Sequence, residues 1–208
     1  MKFIKWTLFV ALLSLLFVVS DTQARTSAFS TEQSPGQFGV PPGVLTPHDL
    51  TGVDQNEREV NLEKLAGENG LVLYFVRSAN RSKYGTLQLK DVSRRGSIIE
   101  DAGYNIVVVT NESVKALAHF ANKYDFPYTM ISDTDSEIIK AFEIMNESYV
   151  PGTSYYGVAH PAVYIIGKDG LILDKFFNVD ISKRPDVADV RKAVDFYDDY
   201  SSAIKRTE

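Results

Sequence analysis

The chain of 208 residues contains no cysteine. That absence excludes disulfides, iron–sulfur clusters, Cys-ligated zinc and every reaction that needs a thiol nucleophile. Histidine is nearly as scarce. His48, His119 and His160 are scattered, with none of the short spacings of a metal site, and His119 falls in mid-helix as a structural residue. An excess of positive charge is also missing: 22 Lys+Arg against 27 Asp+Glu leave a formal charge of −5. Binding of nucleic acid by bulk charge is therefore not expected. No internal repeat recurs at a period of about 20–50 residues. Asp133, Asp135 and Glu137 alternate as in a calcium loop but lack its glycine and its distant glutamate. Gly167-Lys168-Asp169-Gly170 is turn chemistry and not a phosphate loop. No metal and no cofactor is expected.

What is present begins with an address. Lys2 and Lys5 precede an apolar run from Trp6 to Val19, and Thr22-Gln23-Ala24 supplies small residues at a cleavage site. This is the layout of a signal peptide, residues 1–24, cut after Ala24. A bilayer span takes about 20 apolar residues, so the run is short for an anchor, which is the competing reading. The expected compartment is periplasmic or extracellular, with no stable membrane insertion after cleavage. Cysteine would pair there; its absence means the fold relies on its core. Residues 25–44 are rich in Ser, Thr, Gln, Gly and Pro without a period of 2 or 3.6, and read as a flexible leader. Residues 45–208 form the domain.

Within that domain apolar runs alternate with helical patterns. Residues 71–76 form a continuous apolar run, the mark of a strand buried on both faces. A helix follows over 86–100, ended by Gly103. Residues 106–109 are a β-branched strand, 113–124 a helix and 128–132 a short strand. Thr134 and Glu137 have capping-box spacing ahead of a helix through Phe142. Residues 162–166 and 171–177 make a hairpin, and Pro185 opens a last helix to about residue 200. Val60 follows a polar turn and marks an edge hairpin upstream. Strands separated by helices imply parallel pairing with right-handed crossovers, and the terminal hairpin adds antiparallel strands.

Four segments in this order resemble one family. They are LVLYFVRSAN at 71–80, FPYTMISDTDSEIIKAF at 126–142, YGVAHPAVYIIGKDG at 156–170, and Arg184-Pro185 before the last helix. Together they resemble the AhpC/TSA (redoxin) branch of the thioredoxin-like superfamily, the peroxiredoxin-like proteins. The resemblance implies an α/β fold: a thioredoxin-like three-layer sandwich with a central mixed β-sheet flanked by helices and an N-terminal β-hairpin extension. It also implies a cis bond at His160-Pro161, and a thiol peroxidase or oxidoreductase site after the first central strand. There the family carries Cys-x-x-Cys or one peroxidatic cysteine. This sequence reads Arg81-Ser82-Lys83-Tyr84-Gly85, with Ser82 and Gly85 at the two thiol positions. A serine hydroxyl neither ionises near neutral pH as a helix-capped thiol does nor exchanges disulfides.

Three readings of that face remain open. The first is a binding module. The loop Ala159-His160-Pro161 offers backbone groups for strand addition by a peptide or protein, with Tyr84, Tyr149, Tyr155 and Tyr156 as a ring of aromatics. The competing view is tyrosines packing a surface loop. The second is an anion site, because Arg77, Arg81 and Lys83 cluster before a helix start; the competing view is solvated charge. The third is catalytic, either a hydrolase pairing Ser82 with His160 or a peroxidase that borrows a partner's thiol. No residue stands out to orient the histidine, and no G-x-S-x-G elbow is present. The ligand-binding residues expected are Arg81, Ser82, Tyr84, His160 and Pro161. Asn80, Asn111 and Asn146 head glycosylation sequons, which matter only in a eukaryotic source.

Overall fold

The computed structural model describes residues 38–47, 49–177, 180 and 182–205. The expected signal peptide, residues 25–37 of the leader and His48 lie outside them. Seven strands form one mixed sheet in the order β2-β1-β5-β4-β3-β6-β7. They are β1 (Thr51–Asp54), β2 (Glu59–Asn61), β3 (Gly70–Phe75), β4 (Tyr104–Thr110), β5 (Thr129–Ser132), β6 (Ala162–Gly167) and β7 (Ile172–Phe177). β3, β4 and β5 are parallel; β1–β2, β1–β5, β3–β6 and β6–β7 are antiparallel. The helices are α1 (Lys83–Arg95), α2 (Ser97–Glu100), α3 (Val114–Tyr124), α4 (Glu137–Ala141) and α5 (Val187–Lys205).

The three layers follow from the alternation of side chains along each strand. Leu71, Leu73 and Phe75 face one way with Val107, Val109, Tyr164 and Ile166, and share a core with Ile138, Ile139 and Phe142 of the α4 region. Phe142 sits 4.9 Å from both the Phe75 and the Tyr164 rings. Each such pair adds about 0.5–1.5 kcal/mol beyond burial alone. The intervening residues, Val72, Tyr74, Ile106 and Val108, are buried on the other face. There the Tyr104 hydroxyl donates to Asp198 of α5 at 3.1 Å. Arg95 of α1 pairs with Asp91 and, at 2.7 Å, with Asp186 just ahead of α5. Lys90 of α1 lies 4.2 Å over the Tyr124 ring of α3. Strands buried on both faces explain the unbroken apolar runs of β3 and β6.

Local chemistry corrects several expectations. The helix expected over 86–100 begins at Lys83 and is broken at Gly96, where α2 starts. A Cβ at Gly96 would stand 2.5 Å from the Tyr128 hydroxyl, so close packing holds that turn. The expected Thr134 capping box does not form. Ser136 precedes α4 in the left-handed region at φ 59° with no side-chain cap. Instead Asp133, buried at the end of β5, accepts from the Ile138 and Ile139 amides at 3.1 and 2.8 Å. A carboxyl group brings two oxygens to two free N–H groups, where a threonine hydroxyl brings one.

Residues 38–44, within the expected leader, are hydrogen bonded to the domain. Val40 N–H donates to the Phe142 carbonyl at 3.1 Å and Gly43 N–H to Ile172 at 2.8 Å. Lys175 Nζ donates to the Phe38 and Gly39 carbonyls at 2.6 and 3.1 Å. Gly39 has φ 73°, and a Cβ there would lie 2.4 Å from the Tyr164 hydroxyl. Only glycine fits both that backbone angle and that approach.

Candidate functional site

Parallel strands of an open α/β sheet release their loops at their carboxyl ends, where such sheets bind ligands. β3 and β4 end together, with Phe75 paired to Val109. β6 starts at the same end, with Ala162 paired to Phe75. The register therefore brings Pro161, residues 76–82 and residues 111–113 to one end of the sheet.

The turn after β3 is built on a buried carboxylate. Glu112, 6 % exposed, accepts from the Ser78 hydroxyl at 2.9 Å and from the Ala79 amide at 2.6 Å. Ser78 Oγ in turn accepts from the Arg81 amide at 2.8 Å. Arg81 Nε stands 3.9 Å from Glu112, and its Nη1 donates to the Ser154 carbonyl at 3.2 Å. The side chain of Arg81 thus ties the turn both to β4 and to the 149–156 loop. Asn111 Nδ2 holds the same loop through the Tyr156 carbonyl at 2.9 Å.

Ser82 is the N-cap of α1. It is extended at φ −106°, ψ 112°, and its hydroxyl oxygen accepts from the Gly85 amide at 3.1 Å. Serine suits that task because it meets one of the orphan donors of a first turn. Gly85 is buried, and a Cβ there would stand 2.5 Å from the Ser78 carbonyl oxygen. The backbone has closed over the second thiol position, so no side chain enters it without movement of the turn.

The aromatic loop forms a cluster with two arginines. The Arg77 guanidinium carbon lies 4.3 Å from the Tyr155 ring centre and 5.0 Å from Tyr149, and the two rings are 5.4 Å apart. Arg81 approaches Tyr155 at 5.1 Å. Tyr84 is 39 % exposed on the first turn of α1. Both it and Arg77 lie within electrostatic reach of Arg184. Lys83 is exposed on the same turn.

His160 belongs to a different set of neighbours. Its ring packs 5.6 Å from Phe38 and 5.7 Å from Phe177. Nδ1 is buried without a partner among the described residues. Burial pushes the imidazole below its usual value of 6.5, with the Glu147 charge opposing. No hydrogen bond joins it to Ser82, so the pair is not set up for acyl transfer. The expected cis bond is corrected: His160–Pro161 is trans, the lower-energy isomer by about 0.5–1 kcal/mol. The backbone offered for strand addition is already engaged. Asn146 N–H donates to the Val158 carbonyl at 2.9 Å, and His160 N–H to Ile144 at 2.7 Å.

Arg81, Ser82 and Tyr84 are therefore brought together, whereas His160 and Pro161 flank them from β6. Glu112, Ser78 and Arg184 were missed as site residues. The signal for Glu112 was available: Thr110-Asn111-Glu112-Ser113 is a polar run at the carboxyl end of a parallel strand.

Known proteins agree with this frame. The AhpC/TSA family description matches residues 43–175. Peroxiredoxin Bcp of Escherichia coli (strain K12) is 25% identical over 134 residues, covering 64% of this chain and 84% of that protein. Among solved structures, thiol peroxidase from Chromobacterium violaceum superposes with a TM-score of 0.64 at 16% identity, over 78% of this chain and 90% of that one. Peroxidoxin BcpB from Mycobacterium tuberculosis gives 0.62 at 19%, over 76% and 94%. These two likenesses establish the shared thioredoxin-like fold. With the family matched over more than half of its length and no cysteine anywhere, the chain belongs to the AhpC/TSA family as a member without the family's thiols.

Proposed function

We propose that this is an exported AhpC/TSA-family protein that carries out no thiol chemistry and binds a ligand at the former active-site end of its sheet. One observation carries the reading. At the two thiol positions the hydroxyl of Ser82 is engaged as a helix cap, and Gly85 has no room for a side chain. Here the turn is consolidated by Glu112, Ser78 and Thr86, whose hydroxyl donates to the Ala79 carbonyl at 2.6 Å. Export is supported by the lysines and the apolar run ahead of Ala24. Arg81, Ser82, Tyr84, His160 and Pro161 form the wall of the binding face, and the cations Arg77, Arg81 and Lys83 around its turn favour an anionic ligand over a neutral one.

Two assays test the reading. Incubated with hydrogen peroxide and a dithiol, the protein consumes no more peroxide than buffer. N-terminal sequencing of the protein recovered from the producing cell's exported fraction starts at Arg25. Turnover above buffer, or an intact Met1, would overturn the corresponding half.

A further inference from the structure

A second concave surface lies between α1 and α3. It is a cavity of about 240 Å³ lined by Lys90, Ser93, Arg94, Phe120, Tyr124 and Phe126. Lys90, Ser93 and Arg94 stand three and four residues apart on α1 and so share one face of it, as Phe120 and Tyr124 do on α3. The C-cap of α3, Asp125, is left-handed at φ 47°, and the Phe126 amide donates back to the Ala121 carbonyl at 3.0 Å. That turn folds the Phe126 ring against Phe120, 5.8 Å away, while Tyr124 lies 4.8 Å from Phe120. Phe120 and Phe126 are buried and form a fixed aromatic floor. Phe126 also precedes β5, which runs parallel to β4. The cavity therefore lies toward the amino ends of the parallel strands, opposite the end that carries Ser82.

The wall above this floor is cationic. Lys90 Nζ stands 4.2 Å and Lys123 Nζ 5.2 Å from the centre of the one Tyr124 ring. Neither ammonium group has a hydrogen bond or ion pair among the described residues. An ammonium held over a ring face keeps donors for a second partner. Arg94 Nη2 is 3.5 Å from Asp91 Oδ1, but that same oxygen already accepts from Arg95 Nε at 2.9 Å. Arg94 is exposed at the rim, and the half-buried Ser93 hydroxyl has no partner among the described residues. No carboxylate lines the cavity, although acidic residues outnumber basic ones in the chain, 27 to 22.

We propose that this cavity binds a small aromatic carboxylate, its ring against Phe120, Tyr124 and Phe126 and its oxygens between Lys90 and Arg94, with Ser93 as a further donor. Rings tilted to one another offer both edges and faces to a guest ring at about 4.5–7 Å, which an aliphatic guest does not exploit. The volume sets the size: an apolar cavity of roughly 150 Å³ takes up benzene, whereas drug-sized ligands occupy about 300 Å³ or more. One ring with one carboxylate fits between those limits. The cations, unopposed within the cavity, favour the acid over its neutral amide. This site is separate from the face at Ser82, and the inference does not rest on what that face does.

The test uses the full chain, titrated calorimetrically with benzoate, benzamide, cyclohexanecarboxylate and acetate at matched ionic strength. Benzoate should bind tightest, with benzamide and acetate each weaker by about tenfold or more, the loss expected when charge-assisted hydrogen bonds or the ring are removed. In amide NMR spectra, benzoate should shift the signals of residues 90–94 and 120–126. Lys90→Met, which keeps the stem and loses the charge, and Arg94→Gln should each weaken benzoate about tenfold. Tyr124→Leu should narrow the preference for benzoate over cyclohexanecarboxylate. Ser93→Leu puts a better helix former at 93 and fills the cavity, so binding should be lost while the unfolding temperature is held or raised. Lys64→Ala, at an exposed position on Glu63–Leu65, should bind as the parent does. Unfolding temperatures without ligand separate lost binding from lost fold, and if Ser93→Leu does not fold, Lys90→Met carries the test. Benzoate no tighter than benzamide, shifts confined to residues 77–85, or Lys90→Met binding as the parent does would overturn the site. Peroxide turnover decides the reading of the Ser82 end and is independent of each of these outcomes.

Discussion

Replacing Ser82 separates a capping residue from a nucleophile. Ser82 Oγ accepts from the Gly85 amide at 3.1 Å, and the residue is extended ahead of a helix of 13 residues. In Ser82→Ala that amide loses its acceptor in a partly buried turn. Loss of an N-cap of this kind costs about 1 kcal/mol. For a chain of this size, the unfolding temperature should fall by about 2–4 °C. Ser82→Cys should fall by a similar amount, because sulfur is a weak acceptor. Ser82→Asp keeps the acceptor and places a negative charge at the positive end of α1, a gain of about 0.3–1 kcal/mol. Its stability should match or exceed that of the parent. Circular dichroism at 222 nm, read through thermal unfolding, gives all four values (222 nm is about the helix band, whose loss tracks the ordered turns lost). An alanine variant as stable as the parent, or an aspartate variant no better than alanine, would refute the assignment of Ser82 as a cap.

Two further outcomes follow from the same turn and its neighbour. Gly85→Ala gains about 1 kcal/mol of helix propensity but pushes a methyl to 2.5 Å from the Ser78 carbonyl. Overpacking against backbone costs about 1–3 kcal/mol, so the variant should be less stable in urea, and a higher midpoint would contradict the close contact. His160 is held neutral by burial, its folded pKa below the ordinary 6.5. Its contribution is therefore complete above about pH 6.5 and is lost as pH falls through the lower folded value. His160→Gln should flatten the decline in stability below that pH relative to the parent; parallel pH profiles would show that His160 is solvated.

The order of strands and helices was legible because each central element carries its own pattern. β3, β4 and β6 read as unbroken or β-branched runs, and α3 shows apolar residues at helical spacing. The position of Ser82 at the head of α1 was legible through the family resemblance. What escaped was set by contacts between distant segments. Glu112 reaches back 33 residues to the Ala79 amide, and Arg81 reaches forward 73 residues to the Ser154 carbonyl. The cap of α4 went to Asp133 because its carboxylate reaches two amides from the end of β5, a geometry that the Thr134–Glu137 spacing does not reveal. Residues 38–44 lack periodicity because they are held by β7 and Phe142, not by a regular element of their own. The trans His160–Pro161 bond shows the family expectation yielding to the ordinary preference of the peptide bond.

The central claim is that a thioredoxin-like scaffold of the AhpC/TSA family operates here without a redox atom. The rate of hydrogen peroxide loss in the presence of excess dithiol, measured against increasing concentrations of the protein, tests it most directly. The account predicts a slope of zero for the parent and for Ser82→Ala alike. A slope that rises with protein concentration and vanishes in Ser82→Ala would contradict it.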